Sequence, residues 1–177
     1  MTSYLYPYIQ ESAVLENRFK DYILTIQYSL DGLSFVIFDK KEQKFLCLKH
    51  YTISKKEITL SDILTELQEK ESWKLKDFHK VNFIIDNKHN TFVPKAFYDE
   101  KLSKQYLDTL QVPSSNVKVD NVKSDIYNIY SVDDDIAATI NIFSKDACIQ
   151  HTSTILINSL IKEFSERNAE TRVFVNV

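Results

Sequence analysis

Glycine is almost absent from this chain: among its 177 residues there is one, Gly32. At an average usage of about 7%, a chain of this length would contain roughly a dozen. Loops that wrap a phosphate group need several glycines, because the backbone must turn its amides toward the anion. The sequence therefore excludes the P-loop and the glycine fingerprint of dinucleotide-binding domains, and we predict no bound cofactor.

Arginine, the side chain best suited to bidentate phosphate binding, is also scarce. It occurs only as Arg18, Arg167 and Arg172, and the 25 acidic residues outnumber the 22 basic ones, for a formal net charge of −3. Domains that bind nucleic acid normally carry a basic excess. We therefore predict no nucleic-acid partner, and we regard a nucleotide ligand as doubtful.

Cysteines and long apolar runs are few as well. Cys47 and Cys148 are too few and too far apart for a disulfide framework, so we interpret both as buried free thiols in a reducing compartment. No run approaches the ~18 apolar residues that suggest a membrane span, and the first residues lack the basic and apolar regions of a secretory signal. We expect a cytoplasmic protein without a membrane partner.

The sequence does contain a well-marked order of secondary structure. Asp31-Gly32 lies between two apolar segments and favours a hairpin, because glycine tolerates positive φ. The hydrophobic periodicity predicts strands over residues 22–29, 33–39, 44–53, 80–86 and 126–132, helices beginning near Thr59, Asp99, Asp133 and Thr152, and short extended pieces over 91–94 and 147–151. Three antiparallel strands followed by β-α-β-α form the ribonuclease-H-like topology of actin-like ATPase domains. We therefore predict an α/β fold with a mixed five-stranded sheet and helices on its faces.

Three segments follow from this order: an N-terminal arm over residues 1–20, one actin-like domain over 21–168, and the first strand of a truncated second domain over 169–177. The last assignment rests on an alternating strand that has no partner after it. In the arm, Tyr4, Tyr6 and Tyr8 share one face of an extended segment. Two alternatives stay open: the arm docks on a neighbouring subunit or partner, or it packs on its own sheet or is disordered.

Three stretches carry a resemblance to a known family: residues 28–39 (YSLDGLSFVIFD), residues 91–94 (TFVP) with the FYD at 97–99 that follows, and the His151-Thr152 pair that opens the last helix. From about residue 22 onward the chain resembles a bacterial family of unknown function, family 3822, whose members are associated with a two-domain actin-like ATPase fold. In nucleotide-binding proteins of this fold the first hairpin carries an aspartate, which organises magnesium-bound water, and glycines that admit the phosphates. The resemblance places Gln27 at the aspartate position and Ser29 at a glycine position.

Our preferred interpretation is a non-catalytic actin-like module for protein interaction or self-association, with the phosphate site lost. The first alternative is a degenerate ATP-binding protein or weak ATPase. Its candidate contacts are Gln27, Ser29, Asp31, Gly32 and Ser34.

The second alternative is a ribonuclease-H-like nuclease that relies on Asp31 and Asp86. Asp86 ends the fourth predicted strand, where related enzymes hold a metal or a base, but it is also a good turn-former beside Asn87. Two-metal chemistry needs further adjacent acids. We predict no metal, because Cys148 and His151 supply only two ligands; we interpret His151 as a helix-entry residue bonded to local backbone.

Overall fold

The computed structural model describes residues 9–10, 14–53, 58–108, 116–123 and 125–166. The strands are β1 (Ile9–Gln10), β2 (Tyr22–Tyr28), β3 (Gly32–Asp39), β4 (Lys44–Thr52), β5 (Lys80–Ile85), β6 (Asn90–Pro94), β7 (Val117–Val122), β8 (Ile126–Ser131) and β9 (Cys148–His151). The α-helices are α1 (Leu60–Glu71), α2 (Ser103–Asp108), α3 (Asp134–Phe143) and α4 (Thr152–Glu166), and 3-10 turns cover Glu16–Asp21, Leu75–Asp77, Lys95–Phe97 and Glu100–Leu102.

The main sheet has the strand order β1-β4-β3-β2-β5-β9. Strands β2, β3 and β4 form an antiparallel meander, with β1 on the edge of β4, whereas β5 and β9 join β2 in parallel. This arrangement confirms the predicted α/β fold of ribonuclease-H-like, actin-like type.

One strand assignment was wrong. The segment over 126–132 forms β8, which is the central strand of a separate three-stranded sheet, β6-β8-β7, called the insert sheet below. The strand that pairs with β5 in the main sheet is β9 instead. Strand β8 is apolar because both faces of the insert sheet are covered. Ile129 packs with Leu107 of α2 on one face, and the Asn128 amide donates to Thr154 Oγ1 of α4 on the other. The four residues of β9 are too few to show a period.

The main core lies on the face of the sheet that α1 and α3 cover. Leu24, Phe35 and Phe83 of the sheet are 0–1% exposed. They pack in one cluster with the buried residues of α1 (Leu60, Ile63, Leu64 and Leu67) and with Ile140 of α3. Burying side chains of this size supplies most of the free energy of folding. The cluster therefore fixes the strand ends on which the site depends.

Both predicted helix starts near this core are present, but their caps differ. Thr59 Oγ1 accepts from the Asp62 amide, and Asp62 accepts from the Thr59 amide, so α1 has a full capping box. Asp133 stands at the N-cap of α3 without a side-chain cap hydrogen bond. Asp134 and Asp135 lie in the first turn of α3, where their charge is favourable to the helix dipole.

The described residues cover only part of the predicted arm and termini. Ile9 and Gln10 pair with Leu48 and Cys47 of β4. Tyr4, Tyr6 and Tyr8, and the segment 169–177, lie outside the described residues, so the three domain boundaries stay predictions.

The two cysteines are free; Cys47 is buried, and Cys148 is half-buried rather than fully buried as expected. Burial raises the pKa of the Cys47 thiol to about 11. Within the described ranges no helix is long and apolar enough to cross a membrane.

Candidate functional site

The candidate site lies where the parallel strands β2, β5 and β9 end together. Ligands in open α/β sheets bind outside the carboxyl ends of the strands. Here Tyr28, Ile85 and His151 are in register across the three strands. The backbone amide of Asp86 donates to the carbonyl oxygen of Tyr28 at 3.0 Å, and Thr152 Oγ1 donates to the carbonyl oxygen of Ile85 at 3.3 Å. The chain leaving each strand is therefore tied to its neighbour.

Gln27 and Asp86 meet at this edge. The Gln27 side chain donates from Nε2 to Asp86 Oδ2 at 3.3 Å, although the two residues are 59 positions apart in sequence. The pairing arises because β2 and β5 are parallel neighbours, with Gln27 opposite Ile84. A neutral amide, rather than a second carboxylate, thus faces Asp86 at the position that the resemblance assigns to the aspartate.

The β2–β3 hairpin is bonded to itself. The Ser29 amide donates to the carbonyl oxygen of Gly32 at 2.9 Å, and Ser29 Oγ donates to Asp31 Oδ1 at 2.7 Å. This hydrogen bond from Ser29 is the main reason that the pKa of Asp31 is lowered. At the tip, the Leu30 side chain is 89% exposed. The Ser29 hydroxyl and the Asp31 carboxylate are therefore bonded to each other, and the Asp31 carbonyl oxygen accepts from the Ile53 amide at 3.0 Å.

Gly32 is needed for a different reason from the one the sequence suggested. Its φ is not positive, so the hairpin does not require the left-handed backbone of glycine. Instead, a Cβ at this position would lie 2.7 Å from His50 Cε1 and 2.7 Å from the carbonyl oxygen of Tyr51. The His50 ring is held there by Ser34, whose Oγ lies 2.9 Å from His50 Nδ1. Strand β4 fills the space that the missing side chain leaves.

The predicted candidate residues thus form three separate hydrogen-bonded pairs. Gln27 contacts Asp86, Ser29 contacts Asp31, and Ser34 contacts His50 next to Gly32. The carboxylates of Asp31 and Asp86 accept from different side chains, Ser29 and Gln27 respectively. Within the described part of the chain, no group of three or more His, Cys, Asp or Glu side chains is placed to hold a metal ion.

His151 forms the third strand end and is 1% exposed. Its Nδ1 accepts from the Ser153 amide at 3.1 Å, so the proton resides on Nε2, which donates to the carbonyl oxygen of Asn87 at 3.1 Å. Burial lowers the pKa of His151, so the neutral ring is favoured. The predicted helix-entry role of His151 is confirmed, with Asn87 as an additional long-range partner.

Sequence reasoning missed the residues that surround His151. Asp120 of β7 accepts from the His151 amide at 2.9 Å and from the Tyr130 hydroxyl at 3.2 Å. That hydroxyl also lies 3.2 Å from the carbonyl oxygen of Ile149, and burial raises the pKa of Tyr130 strongly. The network joins the three-stranded sheet to β9, and burial favours the neutral ring of His151 and the un-ionised phenol of Tyr130. No local pattern marks Asp120, because its partner lies 31 positions away.

Comparison with protein families agrees with this architecture. A family model described as a protein of unknown function, DUF3822, matches residues 14–177. The chain belongs to the DUF3822 family. A search of curated proteins found no match for the sequence.

Solved structures show the fold of this DUF3822 member. The chain is similar to a Bacteroides thetaiotaomicron protein with an actin-like ATPase fold and unknown function, at a TM-score of 0.70 and 20% identity over 88% of this chain. It spans 60% of the length of that protein. A second similar structure is the cytoplasmic domain of EpsL, an inner membrane component of the Vibrio cholerae type II secretion system, at a TM-score of 0.46 and 13% identity, covering 72% of this chain and 55% of that one. The first comparison shows the actin-like ATPase fold and no more.

Proposed function

We propose that this DUF3822 member is a non-catalytic actin-like module that works in the cytoplasm through protein interaction or self-association. The observation that carries the proposal is the packing around Gly32. In nucleotide-binding proteins of this fold, glycines in the first hairpin leave room for phosphates. Here the room beside the single glycine is taken by the His50 ring and the Tyr51 carbonyl oxygen, each 2.7 Å from where a Cβ would stand.

The charge at the strand ends supports the same conclusion. Magnesium is a hard cation that is bound by carboxylates together with substrate phosphates. Gln27 contributes an amide in place of a carboxylate and donates a hydrogen bond to Asp86. One of the two carboxylate oxygens of Asp86 is therefore already hydrogen-bonded to a neutral side chain.

Exposed apolar side chains on the insert support an interaction role. Phe97 is 76% exposed, and Phe92, Leu102 and Val119 are 37–39% exposed. Aromatic side chains are enriched at protein interfaces relative to the rest of the surface. Phe92 and Val119 lie on opposite faces of the three-stranded sheet, because they pair with the adjacent residues Asn128 and Ile129. Phe97, the most exposed of the four, is therefore the side chain best suited to contact a protein partner or a second copy of the chain.

Titration with Mg-ATP, followed by calorimetry and thermal unfolding, tests the loss of the phosphate site. We expect no saturable binding in the micromolar range and the same melting temperature with and without ~0.1 mM nucleotide, which is roughly a hundredfold excess over a micromolar Kd. Mg²⁺ alone and Mg-AMP are the matched controls. Saturable binding specific to ATP would contradict the proposal and favour a degenerate ATP-binding protein or weak ATPase that uses Ser29, Asp31, Gly32 and Ser34.

Sedimentation velocity over a concentration series tests self-association. If Phe97 contributes to the contact, Phe97→Ser should shift the distribution toward monomer while leaving the unfolding transition unchanged, because the side chain is mostly exposed. A wild-type protein that sediments as a monomer at every concentration would exclude self-association.

A further inference from the structure

A cleft of about 440 Å³ lies between the insert sheet and the main domain, apart from the strand ends described above. Asn116 and Lys118 line it from the β7 side, and Asn141 and Lys145 line it from α3 and the turn after it. Clefts that hold small molecules have volumes of about 300–1,000 Å³. The floor includes Ala138, whose short side chain leaves the helix backbone accessible to a small ligand.

Two ammonium groups, those of Lys118 and Lys145, line this cleft together with the carboxylate of Asp134. Among the described residues, no carboxylate lies within ion-pair distance of Lys118 or Lys145. Lys118 is half-buried, and a partly desolvated cation gains more from an opposite charge than an exposed one does. Asp120 lies two residues further along β7, but its carboxylate already accepts from Tyr130 and His151.

We propose that this cleft binds a small organic anion. Lys118 and Lys145 would neutralise its carboxylate or phosphate oxygens, and the amides of Asn116 and Asn141 would donate further hydrogen bonds. Asp134 also lines the cleft, and its carboxylate accepts hydrogen bonds. Because a carboxylate repels an anion, the two lysines must outweigh Asp134 for the ligand to bind.

Such a ligand would contact two parts of the molecule at once. Lys118 belongs to the three-stranded sheet, whereas Asn141 belongs to α3 and Lys145 to the turn that follows it. Tyr130, opposite Lys118 in the β7–β8 ladder, also bonds toward β9. An anion in the cleft would link the insert sheet to the main sheet. Because it would bind only the folded protein, it would raise the melting temperature.

NMR titration of the ¹⁵N-labelled full chain tests the proposal with citrate, glucose 6-phosphate and inorganic phosphate at constant ionic strength. We expect saturable shifts of the Lys118, Ala138 and Asn141 amides with at least one probe. Citrate alone would assign the site to carboxylates, glucose 6-phosphate alone would assign it to organic phosphates, and inorganic phosphate alone would overturn the proposal of an organic anion. The absence of saturation by all three probes at up to ~10 mM would overturn the proposal.

Matched charge variants separate a built site from a general charge effect. Lys118→Gln with Lys145→Gln should weaken binding at least tenfold, whereas Lys76→Gln with Lys101→Gln removes two exposed lysines that do not line the cleft and should leave the affinity unchanged. Ala138→Phe fills the cleft without changing charge and should also weaken binding. Equal losses in both lysine pairs, or full affinity in Ala138→Phe, would overturn the proposal.

Discussion

Replacing Gly32 with alanine gives the sharpest test of the packing at the first hairpin. In a turn with an ordinary φ, Gly→Ala normally stabilises a protein by about 0.4–1 kcal/mol, because the unfolded chain loses freedom. Gly32 has such a φ, so the backbone alone predicts a gain. The two 2.7 Å approaches to His50 Cε1 and the Tyr51 carbonyl oxygen predict the opposite.

The approach to Tyr51 decides the sign. The His50 ring is a side chain and can rotate, but the carbonyl oxygen belongs to β4 and is fixed by the sheet. Forcing an extra carbon into a packed site typically costs about 1–3 kcal/mol. After subtraction of the unfolded-state gain, we expect Gly32→Ala to lower the free energy of unfolding by roughly 1–2 kcal/mol, which corresponds to about 2–8 °C in melting temperature for a chain of this size.

Urea unfolding followed by Trp73 fluorescence measures this loss. Trp73 is the only tryptophan and is 4% exposed, with its ring edge-on to Phe35 at 5.6 Å. Leu30→Ala, at the exposed hairpin tip, is the control and should be neutral within about 0.5 kcal/mol. In a His50→Ala background the Gly32→Ala loss should shrink but not vanish. A Gly32→Ala protein as stable as wild type would refute the argument and reopen room for a phosphate beside the hairpin.

Three further predictions concern the rest of the fold. Thr59→Ala removes the hydroxyl that caps α1 and should destabilise the protein by about 1 kcal/mol in the same urea assay; a neutral result would show that the capping box contributes nothing. Tyr130→Phe leaves Asp120 short of a buried donor and should lower stability by about 1–3 kcal/mol, whereas Tyr127→Phe, whose hydroxyl bonds to none of the residues that the structure describes, should be near neutral. The pKa of His151 is lower in the folded protein than in the unfolded chain. Just below pH 6.5 the unfolded chain therefore binds more protons than the folded protein does. Stability should therefore fall as the pH drops from 7 toward 5, and His151→Gln should reduce that slope; an unchanged slope would contradict the assignment.

Several features of the fold were predictable because they depend on neighbours in sequence. The meander, the strand over Lys80–Ile85 and the capping box of Thr59 follow from alternation and spacing within about ten residues. The assignment of β8 failed for the same reason. The apolar pattern of this segment predicts that the strand is buried, but it does not identify the sheet to which the strand belongs.

The candidate site was predictable only in part. Asp86 was expected at a strand end and is found there, next to β2. Its hydrogen bond with Gln27, by contrast, depends on the parallel register of β2 and β5. Asp120 was not singled out, because its role depends on a contact between the insert sheet and β9.

The sequence by itself determined the composition limits: one glycine and three arginines exclude a phosphate loop of the usual kinds, whatever the chain folds into. Only the tertiary structure decided how that one glycine is used. Backbone dihedrals and pairing registers place His50 against Gly32 and Gln27 against Asp86. Contacts between strands distant in sequence arise from the whole sheet, and therefore no local pattern encodes them.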